Sequence, residues 1–313
     1  VIGRLGRSLW IRALVTGIVL AVLLRKISFT ETVETLSRLR PDYALAVLAL
    51  VALDRLIMIW RWIILLRATG QQIATRSAAW IYLVSSFVGS FLPAGIGGDA
   101  ARAYTLARRT SEGSAAFASV AVDRLLGLLS LVFVAAVGLS IARTGPAIAA
   151  RAPLLAVCVL AGFVLAAFLW SDRWMFGAVS PAGSWMSRVA AAVGRYRGHG
   201  GALAAVLSLS IGVQLLRILQ AWLLGRGIGI DVPLTYYLLF MPVGLVALML
   251  PISVNGFGVP QGIIVWLLQP AGVASADAFA LSTLIVLSGI VANLPGALLY
   301  LRAGRASGAQ AGA

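Results

Sequence analysis

The sequence predicts an all-α polytopic membrane protein, with about six full spans and two Gly/Pro-broken re-entrant hairpins arranged as an inverted repeat; eight full spans is the alternative. Three observations predict it. Of the 313 residues, 61% are hydrophobic and 11% are charged, where a soluble domain carries about 45–50% and roughly 25%. This balance excludes an ordinary soluble enzyme and a disordered chain. The apolar residues run in blocks of roughly 20, the length a helix needs to cross the hydrocarbon core; the short alternating segments of a transmembrane β-barrel are absent. Two blocks end at a Leu-Pro pair followed by glycines, Leu92-Pro93 and Leu250-Pro251. Such paired interruptions in the two halves of a chain point to a transporter's binding region.

The first block, Trp10 to Leu24, follows Arg4 and Arg7, holds Arg12 near its start, and is closed by Arg25 and Lys26. No small-residue cleavage site follows it, so it reads as an uncleaved span rather than a signal peptide. The second runs from Tyr43 to Leu66, ending in the stretch Arg61-Trp62 to Arg67, an interfacial anchor pattern. The third, Ser77 to Leu92, is short and runs straight into the first break. A fourth covers Ser114 to Ile141 and a fifth Pro153 to Trp170. The polar stretch after it holds an interfacial helix at about 182–196, with Trp185, Met186, Val189, Ala190 and Val193 on one face. A sixth block, Ala202 to Leu224, precedes a seventh, Leu234 to Leu250, which stops at Pro251. A short apolar piece reaches Leu268, and the last block spans Phe279 to Leu301. Residues 1–302 form one transmembrane domain, and 303–313 read as a disordered tail.

An internal repeat lies at an offset of 158 residues: Leu65-Leu66 maps on Leu223-Leu224, Leu92-Pro93 on Leu250-Pro251, and Gly98 on Gly256. The units are about 43–142 and 202–302. Arginine placement puts both termini on the cytoplasmic side of the inner membrane, with loops 67–76, 102–112 and 171–200 also inside. The 25–40 loop, with Arg25, Lys26, Arg38 and Arg40, counts against this orientation.

The formal charge is +15, from 25 basic and 10 acidic residues. No basic domain stands outside the membrane blocks, so nucleic acid is not the expected partner. Cys158 and His199 are the only Cys and His. A His/Cys metal site and a His-based triad therefore have no support, and no cofactor is expected.

The first break reads Pro93-Ala94-Gly95-Ile96-Gly97-Gly98-Asp99, followed by Arg102 and Tyr104. Glycines let the backbone turn and expose its N–H groups, Asp99 suits an N-cap, and Arg102 lies one turn on. A helix start backed by Arg suits a phosphate; a capped entry with Arg102 snorkelling to the interface is the plain alternative. The second break offers Ser253, Asn255, Gly256, Gly258 and Gln261, polar groups without charge. Irregular backbone at membrane depth needs protein or a wet cavity around it; a tight loop between ordinary spans is again the alternative.

Asp54-Arg55, Arg61, Asp123-Arg124 and Arg217, with Gln214 and Gln220 beside it, lie deep in apolar blocks. Such charges face protein or water, not lipid. With Arg102 and Asp99, five Arg face three Asp, a surplus of +2 that a phosphate-bearing head group would balance. With Arg61 at the interface instead, the surplus is +1. Substrate binding is assigned to Gly95, Gly97, Gly98, Asp99, Arg102, Tyr104, Asp123, Arg124, Arg217, Ser253, Asn255, Gly256, Gly258 and Gln261. Pro93, Pro251, Asp54, Arg55 and Arg61 are assigned structural roles.

Three segments together resemble the lysylphosphatidylglycerol synthase transmembrane, or flippase-like, family: Leu92-Pro93 to Tyr104, Val122-Asp123-Arg124-Leu125-Leu126-Gly127-Leu128, and Leu250-Pro251 to Val259. The resemblance covers nearly the whole chain. It implies a membrane part that moves an aminoacylated lipid to the outer leaflet, fused in some members to a soluble aminoacyl-transferase. The tail Ala303 to Ala313 is too short for such a domain. Members commonly carry Arg-Glu where this chain has Pro260-Gln261.

The leading expectation is a flippase-like transporter of an anionic or phosphate-bearing lipid. The alternatives are a membrane-embedded lipid transferase, or a non-transporting partner of a lipid, glycolipid or hopanoid synthesis enzyme. Against catalysis, no nucleophile–base pair is evident, and an Arg beside Asp99 and Asp123 favours their ionised form. The expected partners are a membrane lipid and a separate lipid-synthesis enzyme, with self-association open.

Overall fold

A computed structural model describes residues 29–90, 96–110, 113–141, 185–249 and 259–311. Among them every regular element is helical. The helices are α1 (Phe29–Ser37), α2 (Pro41–Ala68), α3 (Thr75–Gly89), α4 (Ile96–Ala107), α5 (Gly113–Ile141), α6 (Trp185–Gly194), α7 (Gly200–Gly227), α8 (Leu234–Met249), α9 (Val259–Leu268), α10 (Ser275–Val291) and α11 (Leu294–Ala311). Among the described residues, four stretches are long and apolar enough to cross a membrane: α2, Gly113–Gly138, α7 and Ser275–Arg302. The expected first and fifth blocks lie outside the described residues, as do Pro93, Gly95, Pro251, Ser253, Asn255, Gly256 and Gly258.

Helices α3 and α4 pack against one another and run antiparallel. Gly98 lies against Ser85 and Gly89, the Arg102 guanidinium sits 5.1 Å from the Tyr82 ring centre, and Arg109 covers Trp80. At 15 and 12 residues, these helices measure about 22 and 18 Å, short of a hydrocarbon core of about 30 Å. Gly98 is needed for this packing: a Cβ there would meet the Ser85 carbonyl oxygen at 3.1 Å and the Gly89 Cα at 3.3 Å. The second half repeats the arrangement. Tyr236 at the start of α8 donates to the Leu267 carbonyl near the end of α9, 2.6 Å away, while Gly244 faces Ile264.

The two halves are braced crosswise, α3 against α11 and α8 against α5. Each brace closes on a glycine. A Cβ on Gly296 would fall 2.1 Å from the Leu83 carbonyl oxygen, and one on Gly138 would fall 2.5 Å from that of Leu238. Gly138 and Gly296 are themselves 158 residues apart. Helices α2 and α7, each of 28 residues, pack along one another.

Several expectations are corrected. Asp99 is not an N-cap, because α4 starts at Ile96 and Asp99 lies within its first turn. The Arg61-Trp62 end of α2 is no interfacial anchor: both residues are buried, and Trp62 donates to Ser119 at 3.2 Å. Arg67, by contrast, is exposed at the last turn. The 25–40 loop contains α1, whose Thr32 and Thr35 are buried; Thr35 donates to Asp277 of α10 at 2.8 Å. The last block breaks between α10 and α11, since Pro295 lacks the N–H to continue a helix. The presumed tail is helical to Ala311, because Ala, Arg and Gln favour helix. A helix, α6, occurs within 182–196 and packs on α5. Its buried residues include Ala192, with Tyr196 in the following turn, rather than Trp185, which is exposed and edge-on to Phe117.

Candidate functional site

The deep charges form two groups. Between the packed helices α2 and α7, Arg217 of α7 donates through Nε to Asp54 Oδ1 at 2.9 Å and through Nη2 to Oδ2 at 3.5 Å. Asp54 lies about 20 Å along α2, near its middle. The second group alternates sign across α2, α4 and α5. Asp123 accepts from Arg61 Nε at 2.8 Å and from Arg102 Nη2 at 3.0 Å. Arg102 Nη2 also reaches Asp99 Oδ1 at 3.2 Å, and the other Asp99 oxygen accepts from Arg124 Nε. Ser210 of α7 ties in by accepting from Arg61 Nη1 at 2.9 Å.

Local sequence explains who points where. Asp99 and Arg102 are three apart on α4 and share a face. Asp123 and Arg124 are consecutive, so they point about 100° apart around α5. Asp123 turns inward and is 1% exposed, whereas the Arg124 side chain is half-exposed. The Arg102 guanidinium lies 5.1 Å from the ring centres of both Trp62 and Tyr82, two rings that adjoin one another at 6.3 Å. These cation–π contacts and two carboxylates let a full charge sit where water does not reach.

Beside this network lies a cavity of about 720 Å³, walled by α2, α4, α5, α7, α8 and α10. Its charged wall is Asp54, Arg55, Asp99, Arg124 and Arg217, with Gln220. Val51, Phe117, Leu224, Met241, Leu245 and Ile285 supply much of the apolar remainder. The volume falls within the roughly 300–1,000 Å³ of small-ligand sites. An apolar chamber with a few convergent ionic groups suits an amphiphile with a charged head.

The structure thus brings Asp99, Arg124 and Arg217 to the cavity wall and leaves Arg102 and Asp123 outside it, in the paired network. It also brings Asp54 and Arg55, assigned structural roles from sequence, to the wall; Arg61 is buried in the network. Tyr104 is 58% exposed under Arg108, away from the cavity. Gly97 and Gly98 lie in the first turn of α4, where Gly98 serves close helix packing. Gln261 is buried against α10, donating to Thr283 at 3.2 Å, and does not line the cavity. Ser210 escaped the sequence reading. The available signal was its place seven residues before Arg217, two turns down the same face of α7. No cluster of three His, Cys, Asp or Glu suited to a metal occurs among the described residues.

With long apolar helices and ion pairs buried at mid-helix depth, the chain is an integral membrane protein. It belongs to the lysylphosphatidylglycerol synthase transmembrane family: residues 9–296 match the family described as "Lysylphosphatidylglycerol synthase TM region". No curated protein matches the chain.

Proposed function

We propose that the protein is a flippase-like transporter that moves an anionic or phosphate-bearing lipid, aminoacyl-phosphatidylglycerol-like or related, between the leaflets of the inner membrane. The observation that carries this is the cavity itself. Its ionic wall sits at mid-helix depth, its remaining wall is apolar, and its helices come from both halves of the chain. A head group crossing the bilayer needs such a polar station with room for attached chains.

The short antiparallel pairs α3–α4 and α8–α9 fit re-entrant hairpins of an inverted repeat. Related units that meet at a shared site favour alternating access. Both termini are placed in the cytoplasm on the positive-inside rule. The protein is read as a carrier and not an enzyme: both cavity carboxylates, Asp54 and Asp99, are engaged in ion pairs with arginine. A separate lipid-synthesis enzyme then supplies the substrate.

The test pairs two measurements on purified protein. Lipidomics of co-purified material is expected to return a phosphate-bearing lipid. Proteoliposomes are expected to expose that lipid, head-group-labelled, to an impermeant quencher faster than protein-free vesicles. Equal rates in both vesicle types would overturn the transporter reading.

A further inference from the structure

Two groups on the cavity wall do not belong to the ion-pair network. Arg55 of α2 lines the cavity, takes part in none of the salt bridges that engage Arg61, Arg102, Arg124 and Arg217, and has its Nε buried without a hydrogen-bond partner. Gln220 of α7 lines the same cavity, is 7% exposed, and has its Nε2 buried without a partner. A buried donor without an acceptor is costly, and a guanidinium does not shed its charge to avoid the cost. Both side chains, one from α2 and one from α7, line one chamber, with these nitrogens turned away from its open space.

We infer that Arg55 and Gln220 form the cavity's anion subsite and take the phosphate group of the ligand, with Arg55 supplying the charge and Gln220 a neutral donor. This rests on the transporter reading for its lipid source, but the subsite follows from the donors alone. Arg217 and Arg124 are already engaged by Asp54 and Asp99, so they shape the wall, while Arg55 lines it without a carboxylate partner. Both unpartnered nitrogens are screened from solvent, so binding turns the two side chains toward the anion. Both are long and unbranched, and a rotamer change suffices. The apolar wall from Val51 to Leu245 has no use for an inorganic ion and matches acyl chains. A phosphodiester head group therefore satisfies both parts of the chamber.

The test uses the detergent-purified full chain as wild type, Arg55→Gln, Arg55→Lys, Gln220→Leu and Arg61→Gln. The probes are dioleoylphosphatidylglycerol, dioleoylglycerol and inorganic phosphate, read by retained ligand in native mass spectrometry and by thermal shift. Phosphatidylglycerol is expected to be retained by wild type, at least about tenfold more weakly by Arg55→Gln, and at intermediate strength by Arg55→Lys and Gln220→Leu. Dioleoylglycerol is not retained. Stabilisation by inorganic phosphate alone, lost in Arg55→Gln, would support the subsite and assign it to the free ion. Without ligand, Arg55→Gln is expected to melt no lower than wild type, whereas Arg61→Gln melts lower. Wild-type retention by Arg55→Gln, or a melting loss equal to that of Arg61→Gln, would overturn the assignment. Lipid movement by an Arg55→Gln protein that still binds would leave the transporter reading standing without this subsite. Binding through Arg55 without movement would do the reverse.

Discussion

The two halves of the chain share a scaffold and divide the chemistry. Helix lengths recur, with 28-residue α2 and α7 each followed by a short antiparallel pair. The bracing glycines, Gly138 and Gly296, recur at the same offset. The charges do not. Positions equivalent to Asp99, Arg102, Asp123 and Arg124 are Phe257, Pro260, Leu281 and Ser282, and those equivalent to Asp54 and Arg55 are Gly212 and Val213. The second half contributes Arg217 and Gln220 to the cavity and otherwise mostly apolar wall. Backbone packing is what the repeat preserves; most of the deep charges lie in the first half.

If that division is right, breaking the charged half costs more than anything done to its counterpart. Asp123→Asn has the largest expected effect. It strips the shared partner from Arg61 and Arg102, and losing one partner of a buried pair costs about 3–5 kcal/mol. Yield and melting temperature should fall, with transport lost at every pH. A normally stable variant whose wild type needs a pH gradient would instead make Asp123 a proton carrier.

Next come the scaffold glycines, which should behave alike. Gly296→Ala and Gly138→Ala each force a methyl group against a carbonyl of the opposing half, and such overpacking costs about 1–3 kcal/mol. Thermal melts of both should drop, more for Gly296→Ala, whose clash is the closer. A loss confined to one of them would break the structural equivalence of the halves.

Arg124→Ala should leave the fold assembled, because its side chain is half-exposed and borders the cavity, yet slow lipid movement sharply. Arg124→Lys should rescue only in part, for Lys lacks the planar fork. Tyr104→Ala has the smallest expected effect, within about ±0.5 kcal/mol for an exposed residue away from special features, and transport should be unchanged.

The sequence exposed the long apolar helices seen among the described residues, because apolar run length is a direct consequence of bilayer thickness. It also exposed both short segments, through Leu-Pro and glycine, and the deep charges, through their position within apolar blocks. Pairing was not legible. Asp54 has Arg61 seven residues on, along nearly the same face of α2, yet it pairs with Arg217 from a helix far along the chain. Which carboxylate meets which guanidinium is set by helix–helix packing, and that is not written in local spacing. The same holds for Gly98. Glycine before a helix reads equally as an anion nest or as room for a neighbour, and only the closeness of Gly89 and Ser85 decides for room. Helix α1 escaped because its buried face is threonine, which apolar periodicity does not register.

The most direct test compares equivalent positions of the two halves in one assay. Proteoliposomes containing wild type, Arg124→Ala or Ser282→Ala are loaded with head-group-labelled phosphatidylglycerol, and leaflet equilibration is followed by an impermeant quencher. Ser282 is buried and donates to the Phe279 carbonyl of its own helix, so its hydroxyl should be dispensable. The account predicts that Arg124→Ala falls to the protein-free rate while Ser282→Ala stays close to wild type. Equal rates in the two variants would contradict it.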